Sequence, residues 1–155
     1  MRPLAESGGA SNIDQYDVVF VGFPTWAMRL PPPVKSFLRQ YNLRGKTVIP
    51  FNTNAGYGAG SSFQTVKELC PQSTGLEGFV TRGGVERDGQ YLVIQGARAA
   101  EARKEVESWL RRIDETLSRT GVFDLSQPEK ADFSEIFLLP TPRIRVLGRA
   151  HHQLK

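Results

Sequence analysis

Two loops have the composition of binding loops. One is "FPTWAMRLPPP", with Trp26; the other is the glycine-rich "NTNAGYGAGSS". An indole offers a planar, polarisable face, and a heterocycle stacked on it gains about 1–3 kcal/mol by analogy with base stacking. Glycines let main-chain N–H and C=O groups approach a ring with no Cβ in the way. Each segment also has a plainer reading, since Trp26 could plug the core and the glycines could serve only a tight turn. Trp26 follows an apolar run inside a Pro-rich loop rather than sitting within a periodic element, which favours a ligand contact. The glycine loop takes the same reading beside it.

Other chemistry is poorly supported. His151 and His152 stand together near the C-terminus with no ligand-type residues at metal spacing, and no Ser-His-Asp or Cys-His arrangement can be assembled. Cys70 is the single cysteine and lies on the apolar side of a short helical pattern, so it reads as a buried structural thiol. One cysteine excludes an internal disulfide framework and fits a reducing cytoplasm. Asp88-Gly89 reads as a turn.

These loops need elements to position them. "YDVVFVGFP" is a continuous apolar run rich in Val, the pattern of a parallel strand covered on both faces. "PPPVKSFLRQYNLRG" places Val34, Phe37, Leu38 and Tyr41 at helical spacing after prolines suited to a first turn, with Asn42 and Gly45 near its end. "KTVIPF" predicts a second buried strand with Pro50 at its exit. "SSFQTVKELC" predicts a helix with Ser61 and Gln64 as a capping box. "GLEGFVTRGG" predicts a third strand, and Tyr91 to Ile94 a short extra one. A long helix over about 99–117 turns Ala102, Val106, Trp109, Leu110, Ile113 and Leu117 to one side and stops at Gly121. The alternation implies right-handed βαβ crossovers, hence an α/β fold with a short parallel sheet and helices on both faces. Both candidate loops then fall at the carboxyl edge of the sheet, where such folds bind ligands.

Composition bounds the rest. With 155 residues, 39% hydrophobic and 23% charged, the chain suits one soluble globular domain. Residues 1–13 read as a flexible leader, 14–121 as the domain and 122–155 as a tail of uncertain structure. The formal charge of +4 divides as +3 before Asp124 and +1 from there on, without the clustered basic stripe of a nucleic-acid binder. The longest apolar runs are too short to span a bilayer, and the opening residues, with Arg2 and Glu6, hold no signal-peptide core. No nucleic-acid or membrane partner is expected.

"YDVVFVGFPTW", "GKTVIPFNTNAGYGAGSSF", "GFVTRGGVERDG" and "EVESWLRRI", in this order and spacing, resemble the flavodoxin-like family over about residues 14–117. The resemblance implies a partial flavodoxin-like three-layer sandwich that binds FMN. Trp26, within Pro24, Thr25 and Ala27, would stack on the flavin, while Asn52, Thr53, Asn54, Gly56, Tyr57 and Gly58 would wrap its pyrimidine end. It implies electron transfer or a small flavin-dependent reductase, with a redox partner protein or a quinone or NAD(P)H-type substrate. A complete domain of this family has strand order 2-1-3-4-5 and a Ser/Thr-rich phosphate loop after strand one. The first two strands and that loop have no counterpart here, so FMN would bind weakly to this chain alone. The Val18 to Val21 strand would then have an open edge. A second copy, a complementing chain or a folded-back tail could cover it; "SEIFLLP" and "RIRVLG" are β-capable, although Pro140 and Pro142 argue against a central position. The alternative to a redox protein is a non-enzymatic truncated module that associates through that edge.

Overall fold

The computed structural model describes residues 13–120 and the backbone of a strand at 144–146. Strand β1 (Val18–Pro24) runs parallel to β2 (Thr47–Asn54) over all seven of its residues, from Val18 beside Thr47 to Pro24 beside Thr53. On the far side of β2 lie β3 (Thr74–Gly75) and β4 (Phe79–Arg82), both parallel to it. They are one strand interrupted at 76–78. On the far side of β1 lies β5 (Ile144–Val146), antiparallel. Helices α1 (Pro32–Gln40) and α2 (Ser62–Leu69) cover one face of the sheet and α3 (Gly96–Thr120) the other.

The β1 run behaves as its composition demands. Val19, Val21 and Phe23 face Val34, Phe37, Leu38 and Val66, whereas Val18 and Phe20 face Trp109, Ile113 and Leu117. Alternate residues of a strand point to opposite faces, so a strand buried on both sides must be apolar throughout. Trp109 anchors the α3 side. Its ring stacks on Phe79 at 5.2 Å, meets Phe20 edge-on at 6.0 Å, and its Nε1–H donates to the Glu77 carbonyl at 3.0 Å. On the other side Ile13 joins the α1 cluster, and Lys46 donates to the Tyr16 and Asp14 carbonyls, fastening the approach to β1.

Four local expectations are corrected. Pro50 lies inside β2, not at its exit. Val48 accepts from the Leu76 N–H and Asn54 from the Gly83 N–H, so even-numbered residues of β2 turn toward the third strand. Pro50 shares their parity, and its donor-less nitrogen faces the interruption between β3 and β4. The third strand is consequently two pieces. Ser61 and Gln64 form no capping box: the Ser61 hydroxyl donates to the Met28 carbonyl at 3.4 Å, and the Gln64 amide donates to Glu68. Tyr91 to Ile94 forms no strand. Gln90 bridges Val85 around a 3-10 turn closed by Gly89 at φ +66°, and among the described residues the chain beyond has no ladder partner, with Tyr91 and Leu92 exposed.

Among the described residues, no helix is long and apolar enough to cross a membrane and no group of three His, Cys, Asp or Glu could hold a metal ion. The leader before Ile13, Gly121, "SEIFLLP" and both histidines lie outside the described residues.

Candidate functional site at the carboxyl edge of the sheet

β1 ends at Pro24 beside Thr53 of β2, so the loops leaving the two strands start as neighbours. The first turns back at once. Trp26 N–H donates to the Arg29 carbonyl at 3.1 Å and Arg29 N–H to the Trp26 carbonyl at 2.9 Å, enclosing Ala27 at φ +46° and Met28 at φ +61°. Two successive left-handed residues make a type I′ turn, a conformation that favours glycine or asparagine. For Ala and Met it costs roughly 1–2 kcal/mol per residue. Such backbone persists only where its surroundings over-determine it.

The surroundings are the second loop. Thr25 Oγ1 donates to the Gly58 carbonyl at 3.0 Å and accepts from Asn52 Nδ2 at 2.8 Å; Asn52 Nδ2 also donates to the Phe23 carbonyl at 3.1 Å. Ser61 N–H donates to the Met28 carbonyl at 3.1 Å. Gly60, at φ +55°, passes so close to Met28 that an added Cβ would lie 2.1 Å from that carbonyl oxygen. The two loops are thus joined main chain to main chain, which the glycine at 60 alone permits.

Asn54 shapes the second loop from within. Its Oδ1 accepts from the N–H groups of Gly56 at 2.9 Å and Gly58 at 3.1 Å, while its Nδ2 donates to the Thr81 carbonyl of β4 at 3.1 Å. Gly56 (φ +106°) and Gly58 (φ +80°) occupy backbone regions closed to most side chains. A third loop closes the group, with Gly83 N–H donating to the Asn54 carbonyl and Glu86 N–H to the Ala55 carbonyl. From α3, Arg98 donates to Thr81 Oγ1 at 2.8 Å and is held by Glu105 and Glu101, whose hydrogen bonds, Glu105 first, raise its already high pKa.

All ten residues singled out in the sequence lie along these two loops or at the strand ends that launch them. Asn52 and Asn54 are buried struts. Trp26 and Tyr57, by contrast, are 48% and 58% exposed. Neither is a core plug. The N–H groups of Tyr57, Ala59 and Gly60 take no part in the network just described. Sequence reasoning missed Met28, Gly60, Thr81 and Arg98. Gly60 stood in the quoted glycine run, and Gly83-Gly84 after the third strand marked the third loop, but the links through Thr81 and Arg98 arise only from tertiary packing. The named residues of the first two loops carry no carboxylate, imidazole or thiol; they can stack and can donate and accept hydrogen bonds.

A largely parallel sheet with helices on both faces, and with a glycine-lined loop and an exposed indole at its carboxyl edge, defines the α/β class. Within that class, the flavodoxin family model matches residues 2–92, and the chain belongs to the flavodoxin family. Among solved structures it is similar to a putative flavoprotein from Bacteroides eggerthii, with 34% identity over 52% of this chain and 51% of that one and a TM-score of 0.44. It is also similar to a putative flavoprotein from Bacteroides uniformis, with 27% identity over 46% and 47% and a TM-score of 0.41. The chain spans about half the length of these two structures. No curated protein matches it.

Proposed function

We propose that the chain binds FMN by its isoalloxazine ring at the joined loops and serves as an electron-transfer protein or a small flavin-dependent reductase. The observation that carries this reading is the pairing of exposed Trp26 and Tyr57 on loops whose backbones are locked together through Thr25, Asn52, Met28 and Gly60. Membership of the flavodoxin family supports it.

The residues fit a planar heterocycle. The indole and phenol offer flat faces, and half-exposed aromatics gain most when a ligand covers them. The N–H groups of Tyr57, Ala59 and Gly60 would serve as donors for ring carbonyl oxygens, in a loop where Gly56, Gly58 and Gly60 carry no Cβ. Bound FMN would supply the electron or hydride chemistry. The chain's part is to orient the ring, cover its faces and leave one edge open to a partner protein or a quinone or NAD(P)H-type molecule.

Titration with micromolar FMN tests this reading. The expected result is a shifted flavin absorbance band together with quenched tryptophan emission. Trp26→Phe removes the quenching while buried Trp109 still emits. A wild-type chain that gives neither signal refutes the assignment, and riboflavin run in parallel shows whether the ring alone suffices.

A further inference from the structure

We propose that the C-terminal segment Ile144–Val146 acts as an intramolecular cap on the outer edge of β1, keeping that edge from pairing with a second copy of the chain. The proposal rests on strand register and is independent of flavin binding.

β1 is the strand most exposed to mispairing. Val18, Val19, Phe20, Val21 and Phe23 are all buried, so the strand is apolar on both faces. Only its inner edge is occupied by β2. An apolar strand with a free edge is a template for another chain, and proteins normally cover, charge or shorten such edges. Here the outer edge carries no charged side chain along Val18–Pro24 to do this. Instead Val146 lies beside Val19, Arg145 beside Phe20 and Ile144 beside Val21. The pairing is antiparallel in a sheet whose other pairs are parallel, as expected of a segment that returns from elsewhere rather than through a crossover helix.

The cap is short and the edge is longer. The described pairing stops at Val21, leaving Gly22 and Phe23 beyond it before Pro24, which has no N–H to offer. Twenty-three residues separate Thr120 from Ile144. Tethering of that length holds the segment near its site at an effective concentration of about millimolar, so a micromolar second copy loses the competition. Once the cap is removed, that protection goes with it.

The test uses the full chain with Ile144→Pro and Arg145→Pro together. Adjacent residues of a strand point their N–H groups to opposite edges, so one of the two prolines must remove a ladder donor. Light scattering after size exclusion should find the wild type monomeric at micromolar concentration and the variant dimeric or larger. Asp17 and Thr25 bond toward β2, so within Val19–Val21 only the Phe20 amide points outward, and its hydrogen exchange should accelerate by on the order of tenfold or more. Arg145→Ala, which keeps every backbone donor, should behave as wild type. A double-proline variant that stays monomeric overturns the proposal, as does a wild type that is already dimeric. So does an Arg145→Ala variant that associates as strongly as the prolines. Should the prolines prevent folding, the wild-type exchange decides: a Phe20 amide as labile as those of exposed loops refutes the cap.

Discussion

Replacing Gly60 by alanine separates two effects that the candidate site combines. Gly58 and Gly60 stand in the same loop, both left-handed at φ +80° and +55°. An alanine at either position incurs a conformational cost of about 1–2 kcal/mol. Around Gly58 nothing lies within 4 Å of an added Cβ, whereas at Gly60 it meets Met28 backbone at 2.1 Å (O), 2.7 Å (C) and 2.9 Å (Cα). Backbone cannot swing aside as a flexible side chain does, so Gly60→Ala must push the Trp26 turn away from the start of α2. Overpacking of this kind adds about 1–3 kcal/mol. The Ser61 N–H bond to the Met28 carbonyl stretches at the same time. Gly58→Ala should therefore destabilise by about 1–2 kcal/mol and Gly60→Ala by about 2–5 kcal/mol. With a urea dependence of about 1–3 kcal/mol per molar, a 2 kcal/mol gap separates the two midpoints by about 1 M. Urea unfolding followed by Trp109 emission measures it. Two variants that agree within about 0.5 kcal/mol, the range of ordinary surface substitutions, would refute the main-chain contact as the device that joins the loops.

Asn54→Ala removes one donor and one acceptor that between them serve Thr81, Gly56 and Gly58, and leaves the buried Thr81 carbonyl without that partner. It should cost about 2–4 kcal/mol and release the Gly56 and Gly58 amides to rapid hydrogen exchange; unchanged protection would show that the loop holds its shape without Asn54. Cys70 is buried, and burial pushes its thiol pKa up. The folded state then favours the protonated thiol, so this contribution is intact below the unfolded thiol pKa of about 8.5 and declines as pH rises above it. The stability gap between wild type and Cys70→Ala should shrink in the alkaline range, and a gap that stays constant or widens there contradicts the burial argument.

What was legible in the sequence was whatever depended on periodicity. Val18 to Phe23 had to be a strand buried on both faces, and the stripe from Ala102 to Leu117 had to be one side of a helix. Neither reading needs knowledge of a distant partner. Pro50 was misplaced because its tolerance inside β2 depends on an interruption in another strand. The Ser61 and Gln64 box failed because a carbonyl 33 residues away captured the hydroxyl. Tyr91 to Ile94 is a run of β-favouring residues, but such a run makes a strand only where an edge is available to receive it. Ala27 and Met28 gave no hint of left-handed backbone, since neither is a residue that tolerates it. As for the tail, the prolines at 140 and 142 argued against a central strand, and the strand that forms begins beyond both and lies at the edge.

The strained turn and the exposed rings belong to one argument. A turn with Ala27 and Met28 both left-handed is destabilised by roughly 2–4 kcal/mol relative to one with Asn-Gly. Nothing in core packing requires it, because Ala27 and Met28 are exposed. What the turn does is fix the backbone of Trp26 between Thr25, tied to Gly58, and Arg29, paired to Trp26 itself. An exposed indole in a loose loop would lose rotamer and backbone freedom whenever it bound a ligand, and that loss would weaken binding. Held by main-chain bonds, its backbone keeps its position without the ring being buried. The same holds for Tyr57, whose neighbours Gly56 and Gly58 are both fastened to Asn54. In the proposed reading, the backbone share of the ordering cost is met in folding, before a ligand binds the two rings.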